Sequence, residues 1–94
     1  MGTFMTRVEL HHADEDDYEA LHSAMETEGF ERIITSDQGI KYHLPTAEYY
    51  RTANLTRQQV LDSAMRAAAT TGKSHAAVVT ESLGVIWNGL TKVQ

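Results

Sequence analysis

The stretch Tyr42-His43-Leu44-Pro45-Thr46-Ala47-Glu48-Tyr49-Tyr50 divides this chain into two halves. The residues before it have the pattern of a strand, a helix and a hairpin, and those after it have the pattern of a helix and a strand. It contains Pro45, the only proline, which lacks a backbone N–H and fixes its own φ. We therefore expect a strand to end at Leu44 and Tyr49 to Arg51 to lie in a connection.

Length and composition predict a single domain over residues 1–94, because a chain of this size forms only one hydrophobic core. The hydrophobic content of 41% and the charged content of 22% are those of an ordinary globular protein. The formal net charge of −5 argues against broad electrostatic capture of a phosphate backbone, so any nucleic-acid site has to be local. Cysteine is absent, which excludes disulfides, thiolate nucleophiles and sulfur-rich zinc sites.

The N-terminus has no feature of a targeting signal, and no segment approaches the ~20 apolar residues of a membrane span. We therefore expect a cytoplasmic protein with no membrane partner. Residues 1–5 are expected to be a flexible N-terminus, with Met5 as an alternative start. Thr71-Gly72-Lys73-Ser74 resembles the end of a phosphate-binding loop, but it lacks the upstream glycine and follows a helix. We expect no cofactor.

The pattern before the proline predicts three kinds of element. Alternation over Thr6 to His12 predicts a half-buried strand. Asp14, followed by three more acidic residues, predicts the start of a helix that ends at Gly29. Arg32 to Thr35 and Ile40 to Leu44 are predicted to form a hairpin around a turn that contains aspartate and glycine.

After the proline, Thr56-Arg57-Gln58-Gln59 fits a capping box, and an alanine-rich helix is predicted from there to Gly72. Ala76 to Thr80 predicts a strand, and Val85 to Val93 predicts a last, interrupted strand. The order β-α-β-β-α-β predicts an α+β, ferredoxin-like fold, with two helices on one face of an antiparallel sheet. The extra C-terminal strand is expected to extend that sheet or to pair with a second subunit.

Two histidines are the main catalytic candidates. In this topology we expect the strands that end near His11 and His43 to be parallel neighbours, so that both imidazoles project from one face beside Arg7, Lys41 and Arg32. Two imidazoles beside cations suit RNA cleavage, because one removes the 2′-hydroxyl proton and the other protonates the leaving oxygen. The alternative is that both are polar strand residues that face solvent or a dimer interface.

A run of acids just after the first predicted strand has two interpretations. Asp14, Asp16 and Asp17 are weak candidates for holding Mg²⁺, which prefers carboxylates on a phosphate path. Acids in the first turn of a helix are also explained by capping and by the helix dipole alone. The five histidines include no HExxH motif, so a zinc site is not predicted.

Aromatic residues offer a second kind of contact with RNA. Tyr49, Tyr50 and Trp87 have rings that could stack on unpaired bases. The same rings could instead be core or dimer anchors, which is the commoner use of a lone tryptophan on a terminal strand. Lys41 and Arg7 would then supply contacts to the phosphates.

A set of short segments spread over residues 6 to 90 has the pattern of one known family. The segments are Thr-Arg-Val-Glu-Leu at 6 to 10, Asp17-Tyr18, Leu21-His22, Ala24-Met25, Gly29-Phe30, Tyr42-His43-Leu44-Pro45-Thr46-Ala47-Glu48-Tyr49, Val60, Ala67-Ala68, Thr71-Gly72-Lys73, Val79-Thr80-Glu81 and Trp87. On these segments the chain resembles the GhoS-like family, which is named for the antitoxin of a type V toxin–antitoxin system.

The resemblance implies a Cas2-like ferredoxin fold, a homodimer, and a sequence-selective endoribonuclease that acts on the single-stranded messenger RNA of a toxin. It makes Arg32 the most attractive cation for a scissile phosphate. Cas2 proteins typically use an aspartate at the end of the first strand, and the nearest match, Asp14, is displaced past two histidines and is needed as a helix cap. This departure argues against a metal-dependent nuclease.

Two other classes of function compete with the nuclease. One is a non-catalytic, acidic, dimeric interaction or inhibitor protein of phage or plasmid type, which binds a host protein or a nucleic-acid machine. The net charge of −5 and the incomplete catalytic set support it. The other is a homodimeric scaffold whose Trp87 strand seals the interface. Convergence of His11 and His43 in a basic groove would favour the nuclease, and a continuous negative face would favour the inhibitor.

Overall fold

The structure, a computed structural model that describes residues 1–94, contains five strands and two helices. Their order is β1 (Gly2–Leu10), α1 (Glu15–Thr27), β2 (Ile33–Thr35), β3 (Lys41–His43), β4 (Glu48–Ala53), α2 (Arg57–Ala69) and β5 (His75–Ser82). The strands form a three-stranded antiparallel sheet of order β4-β1-β5 and a two-stranded antiparallel sheet, which we call the β2–β3 ribbon. The predicted α+β class is confirmed. Neither helix has the length and hydropathy needed to cross a membrane.

β1 is the central strand and has a partner on each side. Met5, for example, lies opposite Tyr50 of β4 and opposite Thr80 of β5. The even-numbered residues from Phe4 to Leu10 are buried, and the odd-numbered ones point to the other face. One face of the sheet therefore carries the core, and no helix covers the opposite face, which we call the outer face.

Both helices contribute to this one core. Its members are Phe4, Val8, Leu10, Leu21, Met25, Phe30, Tyr49, Val60, Ala64, Ala67 and Ala68. The small alanine side chains of α2 let this helix lie close to β1 and β5, which it contacts directly. Burying each of the larger side chains stabilises the fold by about 1.5–3 kcal/mol. The α1 helix completes the layer by packing against α2.

Both predicted helix starts are confirmed, and each is a capping box. Asp14 Oδ1 accepts a hydrogen bond from the Asp17 N–H at 3.0 Å, and Asp17 Oδ2 accepts one from the Asp14 N–H at 3.1 Å. Thr56 Oγ1 accepts from the Gln59 N–H at 3.1 Å, and Gln59 Oε1 accepts from the Thr56 N–H at 2.9 Å. A cap of this kind contributes about 1 kcal/mol.

β1 begins earlier and ends earlier than the sequence predicted. It starts at Gly2 rather than Thr6, and Phe4 within it is completely buried, so residues 2–5 are part of the sheet and not a flexible N-terminus. It ends at Leu10, because His12 takes a φ of 53° in the left-handed region and cannot continue a strand.

Tyr49 to Arg51 form the middle of β4, so the prediction of a connection there is wrong. Pro45 does lie outside β3, but the chain turns at once, with the Glu48 N–H donating to the Pro45 carbonyl at 3.1 Å. β4 then pairs with β1 from Glu48 to Ala53. Two tyrosines and a threonine give this segment a high strand propensity, which the proline four residues earlier does not cancel.

The expected parallel pairing of strands that end near His11 and His43 is also wrong. Both neighbours of β1 are antiparallel to it, and His43 lies instead in the β2–β3 ribbon, opposite Ile33. The alternation of a strand predicts which face a side chain takes, but it does not predict the neighbouring strand or its direction.

Residues 83–94, which we call the C-terminal tail, do not form the predicted strand. The tail leaves the end of β5 and reaches the far side of the β2–β3 ribbon, where Lys92 bridges to Tyr42. Two hydrogen bonds hold it there, from the His43 N–H to the Thr91 carbonyl at 2.8 Å and from the Val93 N–H to the Lys41 carbonyl at 3.0 Å. The tail therefore extends the ribbon by one bridge only.

A single buried hydroxyl allows a test of the core. Thr6 is completely buried, and its Oγ1 has no hydrogen-bond partner. Thr6→Val keeps the branched shape and removes the unpaired hydroxyl, so we expect the free energy of unfolding in urea to rise by about 1 kcal/mol. The matched control Thr80→Val, at an exposed position of β5, should change it by less than about 0.5 kcal/mol. A less stable Thr6→Val protein would contradict the assignment of an unpaired hydroxyl.

Candidate functional site

The C-terminal tail, the outer face of the sheet and the β2–β3 ribbon border an open cleft of about 420 Å³. Three aromatic residues line it, Tyr42, Tyr50 and Trp87, and we call it the aromatic cleft. The rest of the lining comes from Thr3, from residues 34–38 and from residues 83–86. Its volume lies in the range of sites that bind small molecules.

The walls of the aromatic cleft are set by ring contacts and by the path of the tail. The rings of Tyr42 and Trp87 meet edge to face, with centroids 5.6 Å apart and planes at 65°. Such a contact contributes about 0.5–1.5 kcal/mol beyond burial. Tyr50 is half-buried, and its hydroxyl oxygen accepts a hydrogen bond from Thr52 Oγ1 at 3.3 Å. The cleft is thus built by residues that are distant in sequence.

The structure brings together two of the three predicted stacking residues and adds one that the sequence analysis missed. Tyr50 and Trp87 both line the cleft, as predicted candidates for base stacking. The added residue is Tyr42, whose ring faces Trp87. The available signal was the alternation along β3, which places Tyr42 on the face opposite to Lys41 and His43.

Tyr49 cannot stack on a base in this structure, because it is completely buried. Its ring packs edge to face on Phe30, with centroids 6.3 Å apart, and its hydroxyl lies 2.6 Å from His22 Nδ1. The predicted RNA contact is therefore wrong for this residue. Tyr49 pairs with the buried Thr6, whereas Tyr50 pairs with Met5 on the outer face, so one step along the strand separates core from cleft.

The buried His22–Tyr49 pair is held in its neutral form. Burial lowers the pKa of His22 below its usual value, and the nearby charge of Arg32 lowers it further. Burial also raises the pKa of the Tyr49 hydroxyl far above its usual value. The two side chains therefore share a hydrogen bond between uncharged groups, and the pair stabilises the core rather than presenting an exposed acid or base.

The two predicted catalytic histidines lie in different surroundings. His11 follows β1, where its Nδ1 is 3.5 Å from Glu9 Oε1 and its backbone N–H donates to the Ser74 carbonyl at 2.9 Å. His43 is exposed in β3, opposite Ile33, with the tail on its other side. The structure places each histidine beside its own partners, so the strand geometry that was expected to pair them is absent.

The positive charges that remain without an acidic partner are concentrated at the β2–β3 ribbon. The ion pairs that use four of the eight lysines and arginines are Arg7–Glu48 at 4.0 Å, Arg57–Glu81 at 3.9 Å, Arg66–Glu28 at 3.1 Å and Lys73–Asp17 at 3.7 Å. Arg51 lies over the Phe30 ring, with Cζ 5.2 Å from the centroid.

The other three cations are Arg32, Lys41 and Lys92, which we call the ribbon cations. All three are exposed. Arg32 immediately precedes β2, Lys41 begins β3, and Lys92 lies across from Tyr42. The predicted contact Arg7, in contrast, is on the outer face beside Glu48. The net charge of the chain is negative, but the ribbon carries a local excess of positive charge.

The acids proposed for Mg²⁺ already have structural partners. Asp14 and Asp17 form the capping box of α1, and Asp17 Oδ2 also lies 3.7 Å from Lys73 Nζ. The hydrogen bond from the Asp17 backbone is the main cause that holds the pKa of Asp14 below its usual value. No group of three or more histidine, aspartate or glutamate side chains is placed to hold a metal ion. For Asp14, Asp16 and Asp17 the structure supports the helix-capping interpretation.

No protein-family model matches this chain, and no curated protein matches it. The aromatic cleft and the ribbon cations are the two features of the structure on which a functional interpretation can be built. They are adjacent, since Tyr42 lies next to Lys41 in β3 and opposite Lys92 of the tail.

The buried His22 predicts a loss of stability in mildly acidic solution. Because burial lowers the pKa of His22 in the folded protein below 6.5, the unfolded chain binds a proton at a pH where the folded protein does not. The free energy of unfolding therefore falls as the pH decreases from about 6.5, and it levels off below the folded-state pKa. This fall is measured by urea unfolding at a series of pH values from about 8 to about 5.

His22→Gln should be less stable than the wild type at a pH of about 8. It should lose less stability on acidification, because the substitution removes the imidazole that takes up the proton. His12→Gln, at an exposed position, should keep the wild-type slope. An unchanged slope in His22→Gln would assign the acid sensitivity to another group. The contribution of Asp14 is separable, because its pKa lies below 3.8 in the folded protein and its effect is lost only in stronger acid.

Proposed function

We propose that this protein is a GhoS-like antitoxin that binds single-stranded RNA along the β2–β3 ribbon and cleaves it. One observation carries the proposal: the exposed cations without an ion-pair partner, Arg32, Lys41 and Lys92, lie at the β2–β3 ribbon, whose Tyr42 lines the aromatic cleft. Positive side chains that follow the phosphates and aromatic rings that stack on unpaired bases are the two parts of a single-stranded RNA site. The sequence resemblance supports the same class of function.

The binding strength follows from the number of contacts. Three phosphate contacts on a single strand give a slope of log K against log salt of about −2. Each base that stacks on an aromatic ring adds about 1–3 kcal/mol. Acidic groups elsewhere on a chain of net charge −5 oppose wider contact with the phosphate backbone. The proposed site is therefore short, and its affinity depends strongly on salt.

His43 is the proposed catalytic base. It lies two residues from Lys41 on the same face of β3, whereas Tyr42 between them points to the cleft. In cleavage, His43 would take the proton of a 2′-hydroxyl, the 2′-oxygen would attack phosphorus, and the bond from phosphorus to the 5′-oxygen would break. The 5′-oxygen would take its proton from water, since His11 lies at the end of β1 and away from the ribbon. Arg32 would offset the charge on the phosphate.

The proposal includes a ferredoxin-like, Cas2-like arrangement and a homodimer. If residues 41–53 are counted as one interrupted strand, the elements follow the order β-α-β-β-α-β. The bridge between Glu31 and Tyr50, with hydrogen bonds of 2.8 Å in both directions, links the β2–β3 ribbon to β4. These two observations support the element order and the link between the two sheets, whereas the antiparallel pairing of β1 with β4 differs from the parallel central pair of a ferredoxin-like fold.

Binding is tested with a labelled single-stranded RNA and fluorescence anisotropy over a range of salt concentrations. The double variant Lys41→Gln with Lys92→Gln removes two ribbon cations. We therefore expect binding at low salt to weaken roughly tenfold, and the slope of log K against log salt to become less steep by about 1.4. The matched control Arg57→Gln removes an exposed cation at the start of α2 and should bind like the wild type. Equal binding by the double variant, or no binding by the wild type, would contradict the proposal.

Cleavage is tested with the same RNA, with and without EDTA, for the wild type and His43→Ala. The expected result is cleavage that EDTA does not change and that His43→Ala abolishes, while His43→Ala still binds RNA. If the wild type binds RNA without cleaving it, the RNA-binding part of the proposal stands and the proposed nuclease activity is rejected. Equal traces of cleavage in both proteins would indicate a contaminating nuclease.

A second candidate function is the acidic interaction or inhibitor protein, as a dimer or bound to a host protein. One observation favours it: the apolar side chains Val78, Leu83 and Ile86 are exposed, and those of Leu83 and Ile86 almost completely. β5, which carries Val78, is also an edge strand with one unpaired side. Exposed apolar residues beside an open strand edge are typical of protein interfaces. A stable dimer in light scattering that Ile86→Ser dissociates would support this candidate, and a monomer at all concentrations would exclude the dimer.

A further inference from the structure

The aromatic cleft has an unusual charge. Its lining contains no lysine, arginine or histidine, and Asp37 is its only carboxylate. The ribbon cations are not among the residues that line the cleft. A phosphate group inside the cleft would therefore meet a carboxylate and no cation, which is unfavourable. The part of a ligand that enters has to be uncharged or positive.

The shape of the cleft favours a flat, aromatic ligand. Because Tyr42 and Trp87 meet at 65°, they offer two walls at an angle, and a planar ring can lie against either one. A volume of about 420 Å³ leaves room for a two-ring base and its sugar. Apolar contact comes from Ile34 and from the tail, which also line the cleft.

Three neighbouring polar side chains of the cleft, Ser36, Asp37 and Gln38, come from one tight turn that ends at Gly39. The turn is closed by the Gly39 N–H, which donates to the Ser36 carbonyl at 2.9 Å, and by the Ile40 N–H, which donates to Ser36 Oγ at 3.2 Å. Gly39 takes a φ of 81°, which suits the left-handed end of such a turn. These bonds do not use the Asp37 carboxylate or the Gln38 amide, so both can contact a ligand.

We infer that the aromatic cleft binds a guanine base and that Asp37 recognises it. The inference rests on the proposed function for one of its two ligand sources, single-stranded RNA. A carboxylate only accepts hydrogen bonds, so it selects a base edge with donors. Guanine presents two adjacent donors, N1–H and the N2 amino group, which match the two carboxylate oxygens. Adenine and cytosine each place a ring acceptor beside their amino group, and uracil has a single N–H between two carbonyls.

The other polar groups of the turn agree with this choice. Ser36 Oγ accepts from the Ile40 N–H and keeps its own proton for donation, and the Gln38 amide has two N–H donors. Either can donate to guanine O6, which lies next to N1–H. An alkylammonium cation would also suit aromatic rings beside a carboxylate. It has no acceptor for these donors, so the turn favours guanine.

Trp87 is the only tryptophan, so its fluorescence reports on the cleft directly. The full chain is titrated with guanosine, adenosine, cytidine and uridine, which carry the bases without phosphate. We expect guanosine to bind about tenfold more tightly than the other three, because one bidentate pair of hydrogen bonds discriminates by about 5- to 150-fold. Asp37→Asn should lose the preference, and the matched control Asp62→Asn, on α2, should keep it.

A second arm uses single-stranded RNAs with and without guanine, and a third uses choline. Equal affinities for all four nucleosides, or a guanosine preference that Asp37→Asn retains, would overturn the inference. Choline that binds more tightly than guanosine would also overturn it and would make the cleft a cation site.

Failure of the inference can be separated from failure of the proposed function. RNA binding that does not depend on guanine content keeps the proposed function and removes the inference. Guanosine binding without any RNA binding keeps the inference, with a free nucleoside or nucleotide as the ligand, and removes the proposed function. Urea unfolding of Asp37→Asn shows whether its loss of preference reflects the site or the fold, because a wild-type midpoint limits the effect to the site.

Discussion

The pairing of β1 on both of its sides is the constraint on which the rest of the structure depends. With β4 and β5 fixed to its two edges, β1 can present each side chain only to the helix layer or to the outer face. The side chains at even-numbered positions from Phe4 to Leu10 are buried, so these face the helix layer and the odd-numbered ones face outward. The helices must then lie on one face, and the other face is left for the tail to cross. The aromatic cleft exists because that second face has no helix.

This constraint also explains how an acidic protein can carry a basic site. Asp14 and Asp17 form the capping box of α1, and Asp17 also pairs with Lys73. The β2–β3 ribbon lies outside the three-stranded sheet and contributes only Ile34 to the buried residues of its two strands. Arg32, Lys41 and Lys92 form no ion pair, so three positive side chains stay available at the ribbon although the chain as a whole is acidic.

The parts of the fold that could be predicted are those encoded by neighbours in sequence. Asp14 and Thr56 predict where the two helices begin, because a capping box involves only the N-cap residue and the three residues after it. The turn at residues 36–39 was recognised for the same reason, since its closure is local. β4 was missed because the rule for Pro45 was applied too far along the chain, although a turn can restart a strand within a few residues.

The candidate site was harder to predict, because it depends on pairing and on the return of the tail. Whether Tyr49 or Tyr50 is buried is decided by its partner in β1, and no pattern within the segment distinguishes the two tyrosines. The contact between Tyr42 and Trp87 joins residues 45 positions apart, through a tail with no regular structure. The predicted approach of His11 and His43 failed on strand direction, which side-chain alternation does not encode.

The attachment of the tail has a consequence for how the cleft opens. β1 is held by hydrogen-bond ladders along most of its length, whereas the tail is held on the ribbon by two backbone hydrogen bonds and the Tyr42–Trp87 contact. Segments with so few bonds undergo local unfolding at a small fraction of the global free energy, and their amides exchange with solvent hydrogen much faster than those of a central strand. One wall of the cleft can therefore detach and return while the sheet stays intact. Any ligand in the cleft has to order this wall again, and that loss of entropy sets an upper limit on its affinity.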